Sequence, residues 1–414
     1  MSQDPLFEAT LDELKHLFSP RALTGETMVL NMGPQHPSTH GVLRLIVELD
    51  GEIIVNAVPD IGFLHTGIEK NMEAKTFTKA LVMTDRLDYL NNLGNNLAYC
   101  LAVERLMGVE VPERAQVLRV ILAELQRLAS HLVWLGTHAN DIAAQSMLFY
   151  CVREREYILN IFESIAGQRM MTSFIRPGGL WRDVTPGFED AVRAFLEYLP
   201  PRLADYEALL KNNPIWLDRT KGVGVIDGET AVAWGLTGGS LRGSGVNWDI
   251  RKALPYSGYE DYEFDVPLGE NGDVYDRYWV RMQEFYQSLR ILHQALAKLK
   301  KIGPGPVLTA DRKVAPPPRS ELGTSMEALI HHFKLWTEGF AAPKGEVYVP
   351  TESPRGELGF YLVGNGGPKP HRAHVRTPSF INLQATPLMV KDHYIADVIA
   401  VIGSIDIVLG DIDR

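Results

Sequence analysis

Cysteine is nearly absent: Cys100 and Cys151 are the only two in 414 residues. They form no CxxC pair, which excludes a disulfide framework or a thiolate-ligated cluster built by this chain alone. Two sparse thiols fit a reducing compartment. Long apolar runs are missing too, and none reaches the roughly 18 residues that span a bilayer. Val398-Ile399-Ala400-Val401-Ile402 comes nearest, and Asp397 and Asp406 bracket it. The opening Met1-Ser2-Gln3-Asp4-Pro5 lacks the pattern of a signal peptide. A net charge of -10 with no Lys/Arg-rich run argues against nucleic-acid binding. Gly238-Gly239-Ser240-Leu241-Arg242-Gly243 is neither GxGxxG after a strand nor a Walker A loop, so nucleotide binding is not expected. No internal repeat or low-complexity tract occurs. The expectation is a soluble or peripherally attached protein, with length suggesting roughly two to three domains.

What is present is an ordinary globular composition, 45% hydrophobic and 22% charged, and one unusual segment. Gly33-Pro34-Gln35-His36-Pro37-Ser38-Thr39-His40-Gly41 sets two histidines between prolines and glycines. Strand-like runs flank it, Met28-Val29-Leu30 before and Val42 to Val47 after, which predicts a β-hairpin with a stiff polar tip. Histidine exchanges protons near neutral pH, so such a tip is a candidate proton donor. Spacing alone favours the plainer reading, a turn with exposed histidines.

The rest of the pattern predicts an α+β chain: a central helical bundle with β elements at its N- and C-terminal ends. A lead-in covers 1–25, a β-hairpin region 26–67, a helical bundle 68–215, and a loop-rich α/β part 216–414 that closes the same core. The strongest helix begins after Pro112, where Leu118, Ile121, Leu122, Leu125, Leu128, Ala129, Leu132 and Leu135 form one stripe. Gly136 reads as its end. A helical run over about 142–166 contains Arg153-Glu154-Arg155-Glu156, which reads as a solvated face. Strands are expected over 346–350, 357–363 and 372–383, and a final helix over about 391–403.

Four places carry candidate chemistry. The first is the hairpin with His36 and His40. The second is Thr84 to Tyr89, where a helix would put Arg86 and Tyr89 on one face. The third is Gly136 to Asp141, just past the strongest helix. The fourth is the terminal Leu409 to Arg414. Each has a structural reading as well: a core tyrosine, a helix-capping carboxylate at Asp141, a surface ion pair for Arg86, a solvated tail. Spacing alone lifts none above that reading. His331 and His332 are adjacent and point to different helix faces, and the role of His65 is not legible from its turn.

Taken together, GPQHPSTHGVLR, IGFLHTGIEK, TDRLDYL, LASHLVWLGT, GLTGGSLRGSG, PYSGYEDYEFDVP, KGEVYVPTESPRGELG, RTPSFINLQ and GDIDR resemble, in order and spacing, the 49-kDa, hydrogenase-large-subunit-like family of respiratory complex I. The resemblance covers nearly the whole chain beyond about residue 26. It implies a nickel–iron hydrogenase large-subunit-like fold without the metal site. The matching places, Phe63 to Gly67 and Asp406 to Gly410, contain no cysteine, so a nickel–iron centre has no thiolate ligands.

The resemblance further implies a subunit of proton-pumping NADH:quinone oxidoreductase, active only in the complex. Electrons would pass from NADH through FMN and iron–sulfur clusters to quinone, coupled to proton translocation. Tyr89 and His40 would bond the two quinone oxygens, Asp141 would pair with His40, His36 would lie on a proton path, and Arg86 beside the terminal cluster. That adjacent 4Fe–4S cluster would be held by the small subunit; this chain alone would bind no cofactor and no metal. Implied partners are the small subunit, the 30-kDa-type subunit, the membrane subunit that completes the quinone tunnel, and quinone itself, with no nucleic acid. The implied place is the cytoplasmic side of the cell membrane, peripherally attached. The alternatives are a non-catalytic scaffold subunit, or a related quinone reductase with another electron donor.

Most members carry a histidine where Met171 stands, close to the cluster, and methionine takes no proton. In the assembled complex the cluster potential is therefore expected to be lower and less pH-dependent than in members with the histidine. Redox titration at several pH values checks this, and a strong pH slope of that midpoint contradicts it.

Overall fold

The two apolar runs around the histidine segment pair with each other. In the computed structural model, which describes residues 27–414, strand β1 (Met28–Met32) lies antiparallel to β2 (Arg44–Asp50), with Met32 opposite Leu45. Asp50-Gly51 then turns β2 into β3 (Ile53–Asp60). The expected lead-in over 1–25 lies outside the described residues.

Helices α1 (Ile68–Ala74), α2 (Phe77–Thr84), α3 (Asn92–Met107), α4 (Glu113–Asp141), α5 (Gln145–Ala166) and α6 (Phe188–Leu210) follow. Between α5 and α6 the short strands β4 (Ile175–Arg176) and β5 (Gly179–Leu180) pair. After a loop-rich stretch come α7 (Val274–Ile302) and α8 (Met326–Thr337). A second antiparallel sheet joins β6 (Gly345–Ser353), β7 (Gly356–Gly364) and β8 (Arg372–Arg376) in that order. The chain closes with α9 (Pro378–Gln384), α10 (Ile395–Ile405) and α11 (Leu409–Asp413). The class is α+β. One connected set of buried apolar side chains runs from Met32 to Ile412, and α4 lies at its centre, packed on α5, α7 and α10.

Several expectations are corrected. Helix α4 continues through Gly136 to Asp141. A Cβ at Gly136 would stand 3.1 Å from the Cys151 Cβ and 3.2 Å from the Leu148 Cα, so this glycine marks the close approach of α5 rather than a helix end. Residues 85–90 are turns, not helix. The side-chain amides of Asn92 and Asn95 on α3 satisfy the carbonyls of Asp85, at 2.7 Å, and of Thr84 and Asp88, at 3.0 and 2.9 Å. Glu154 does not belong to a solvated face: it is buried and accepts the hydroxyls of Tyr198 and Tyr206. The strand expected to reach 383 stops at Arg376, because Pro378 starts α9 at its first turn. The final helix breaks at Asp406, whose φ is 53°, and the terminal residues pack inside: Asp411 and Asp413 are buried.

Replacing a mid-helix glycine by alanine ordinarily stabilises by about 1 kcal/mol. Gly136→Ala is expected to do the reverse, costing about 1–3 kcal/mol because the Leu148 backbone must move. Denaturant unfolding of the full chain checks the sign.

Candidate active site

The β6–β7 hairpin turns on two residues, Pro354 and Arg355, with Ser353 paired to Gly356. A hairpin tip usually meets water, but Arg355 is fully buried. Its Nη1 donates to Asp88 Oδ2 at 2.6 Å and to Ser130 Oγ at 2.9 Å. Its Nη2 donates to Asp406 Oδ1 at 3.1 Å. The tip enters because its neighbours leave room. A Cβ at Gly238 would stand 2.5 Å from the Arg355 carbonyl oxygen and from the Gly356 Cα, and Asn382 Nδ2 donates to that same oxygen at 3.3 Å. The glycine-rich loop that fails as a nucleotide site thus seats the hairpin.

The histidine tip is ordered by its own backbone. His36 Nδ1 accepts the Ser38 N–H at 3.2 Å and caps a single turn over Pro37–Thr39. Thr39 is buried and its hydroxyl donates to the His36 carbonyl at 3.0 Å. Gly33, at φ 88°, admits only hydrogen, since a Cβ there would meet the Leu43 carbonyl oxygen. His40 follows in the left-handed region with φ 54°. The residue is exposed in this chain, yet protein crowds it. Desolvation, reinforced by the positive charge of Arg355, lowers its pKa to about 4.

The expected pairing of Asp141 with His40 is not seen. Asp141 is the last residue of α4; it hydrogen-bonds Asn140 and lies in the electrostatic reach of His36. Burial lifts its pKa to about 6. Without that carboxylate at hand, nothing favours the imidazolium at His40.

Tyr89 is half-buried on the turn that carries Asp88. Burial raises its pKa, Arg355 opposes that rise, and the Asp88 charge adds to it. His40 and Tyr89, distant in sequence, thus share the field of one guanidinium. Arg86 instead points outward, its Nη1 on the Val82 carbonyl at 2.8 Å, so it shares no helix face with Tyr89.

The 61–67 turn docks on the chain terminus. Asp413 accepts the N–H groups of Gly62 and Leu64 at 2.8 and 2.7 Å, and His65 Nδ1 lies 2.6 Å from the Asp413 carbonyl oxygen. Arg414 Nε reaches Glu69 at 3.3 Å. The first of the two cysteine-free segments therefore packs on the residues that follow the second. Cys100 and Cys151 lie buried elsewhere in the core, and burial pushes both thiols up. They do not fit as cluster ligands.

Residues 141–414 match the family described as "Respiratory-chain NADH dehydrogenase, 49 Kd subunit". The chain belongs to this family. It is 62% identical over 395 residues to an NADH-quinone oxidoreductase subunit from Roseiflexus sp. (strain RS-1), covering 95% of both chains. It is 61% identical over 389 residues to the corresponding subunit from Chloroflexus aurantiacus, covering 94% of this chain and 95% of the other. With the NADH-quinone oxidoreductase subunit from Thermus thermophilus it shares 55% identity over 394 residues, 95% and 96% of the two chains.

Within this 49-kDa family member, Arg355 and Ser130 carry no mark in the sequence as site residues, while Asp88 and Asp411 fall inside two candidate places, Thr84 to Tyr89 and Leu409 to Arg414, without being singled out there. Asp406 stands alone between Ile405 and Ile407-Val408-Leu409, and an acid in apolar surroundings needs a buried partner.

Arg355→Gln leaves Asp88 and Asp406 without their cation, a loss of about 3–5 kcal/mol. Such carboxylates bind protons in the folded state at pH values where the unfolded chain has released them. The loss is therefore expected to shrink as pH falls, and to be larger near pH 8 than near pH 6. Thermal unfolding at both values checks the direction.

Proposed function

We propose that this chain forms the quinone-reduction site of a proton-translocating NADH:quinone oxidoreductase, shared with a small subunit that holds the terminal iron–sulfur cluster. The observation that carries the reading is that Arg355, fixed by Asp88 on the turn that bears Tyr89, lies in electrostatic reach of both Tyr89 and His40, in a member of the 49-kDa family. A scaffold that merely positions a partner needs neither residue. The hydrogenase-like ancestry is part of the same proposal. It draws support from the contact between the 61–67 turn and the terminus, a turn without the cysteines that a nickel–iron centre would need.

Reducing a quinone to its quinol consumes two electrons and two protons. The electrons come from the partner's cluster, fed from NADH. The protons need donors about 2.6–3.2 Å from each oxygen. With its pKa near 4, His40 is a neutral imidazole that offers one N–H hydrogen bond and orients the headgroup. Tyr89 starts as an uncharged phenol. Deprotonating it at pH 7 costs about 4 kcal/mol at its ordinary pKa, and burial adds to that. It gives its proton only to a strongly basic, already reduced oxygen. Asp141 lies in the electrostatic reach of His36, and the two form the proposed entry for protons.

Among the described residues no helix is long and apolar enough to cross a membrane. Attachment is proposed to be peripheral, on the cytoplasmic side, through the membrane subunit that completes the quinone tunnel, with the 30-kDa-type subunit beside it. Phe63, 49% exposed, and Leu64, 37% exposed, give the 61–67 turn an apolar rim suited to that tunnel.

Tyr89→Phe removes one hydroxyl and little volume. In the assembled complex it is expected to lower quinone reduction about a hundredfold while assembly persists. Activity near wild type would remove Tyr89 from the site.

A further inference from the structure

Behind Tyr89 the core holds more acid than its cations neutralise. Asp88, Asp406 and Asp411 are all buried. Among the described residues Arg355 is the guanidinium that hydrogen-bonds this group, through Asp88 and Asp406. Arg281 acts on Asp406 only at a distance, its Nη1 bonding the carbonyls of Arg277 and Ser404 at 3.1 and 2.6 Å. Glu284 adds negative charge near Asp406, while its own bonds go to Arg242 and His131. Asp411 has still less support: its Oδ2 accepts the Ser379 N–H at 3.2 Å, and the Ser379 side chain also favours its carboxylate. Asp411 Oδ1 and Asp406 Oδ2 are buried with no partner. An ionised carboxylate pays dearly for such an oxygen, and a proton removes the cost.

The cluster adjoins the proposed site. A Cβ on Gly410 would stand 2.5 Å from the Leu87 carbonyl oxygen and 2.9 Å from that of Arg86. The residue before Asp411 is thus pressed onto the turn that carries Asp88 and Tyr89. The Asp88 charge acts on both Asp411 and Tyr89.

We propose that Asp411, together with Asp88 and Asp406, forms a buried proton store that reprotonates Tyr89 after the quinone has taken its proton. The inference rests on the function proposed above. In this step the O–H bond of the neutral Asp411 carboxyl breaks, and an O–H bond re-forms on the Tyr89 phenolate by way of the Asp88 carboxylate. No electron moves. The negative charge passes from the phenolate to the aspartates held around Arg355. Burial and the Asp88 charge lift Asp411 to about 7, and burial lifts Asp406 to about 6, in keeping with a proton present near neutral pH.

The test uses the assembled complex and reduced-minus-oxidised infrared difference spectra with quinone. Wild type is expected to lose a carbonyl band of a protonated carboxylic acid on reduction, and its turnover to fall as pH rises through neutrality. Asp411→Asn is expected to lack the band and the pH step, with turnover about tenfold lower on the acid side. Ser379→Ala removes a hydrogen bond that favours the Asp411 carboxylate, so it should move the pH step upward, and it decides the matter if Asp411→Asn fails to assemble. A wild-type band and pH profile in Asp411→Asn, or an unmoved step in Ser379→Ala, overturns the store. If Tyr89→Phe retains full activity, the proposed function itself fails. If Tyr89→Phe is inactive and the aspartate and serine variants behave as wild type, only the store fails.

Discussion

The fork of Arg355 is the contact on which the site depends. A guanidinium in a protein core is tolerated only when hydrogen-bonded carboxylates replace its water. Here those partners come from places far apart in the chain: Asp88 on the turn after α2, Ser130 on α4, Asp406 in the break between α10 and α11. Each is held by the need to satisfy one planar cation. Burying a hairpin tip also demands space, which Gly238 and Gly356 supply by lacking side chains that would strike each other's backbones. Packing and electrostatics thus act together: the glycines let the charge in, and the charge gathers the segments.

The same cation, together with burial, shapes the resting protonation of its surroundings. It repels a proton from His40 and steadies the anionic form of Tyr89 against burial. Burial wins at the tyrosine, which stays a phenol. The ground state is a neutral imidazole and an uncharged phenol, with Asp411 behind them lifted to about 7. Such an arrangement holds protons until an acceptor becomes basic. Under the proposed function, that is the condition that would keep electron arrival and proton delivery linked.

Much of this was legible in the chain. The β1–β2 hairpin, the Asp50-Gly51 turn, α4 and α7 follow directly from alternation, turn chemistry and helical period. The errors have one origin: local pattern is blind to tertiary neighbours. Gly136 has the composition of a helix end and the function of a packing contact. Thr84 to Tyr89 would suit a helix, but the amides of α3 take the carbonyls a helix would use. The terminal Asp411 and Asp413 look like a polar tail because nothing nearby in sequence shows the Ser379 and Gly62 backbone groups that receive them. The paired histidines were found by composition; the arginine whose charge acts on one of them was not, since its partners lie 267, 225 and 51 residues away.

The single chain leaves one side of the site open, and the physics of closing it has a definite direction. His40 is reached by solvent, Arg86 is exposed, and Phe63 and Leu64 present apolar surface. A partner seated there displaces water and lowers the local dielectric. The repulsion between Arg355 and a protonated His40 then grows, which holds the imidazole neutral more firmly unless the partner brings a carboxylate. Covering Tyr89 likewise raises the cost of its phenolate. Under the proposed function, assembly therefore sharpens what the isolated chain already sets up: the site would release a proton only when reduction creates a base strong enough to take it.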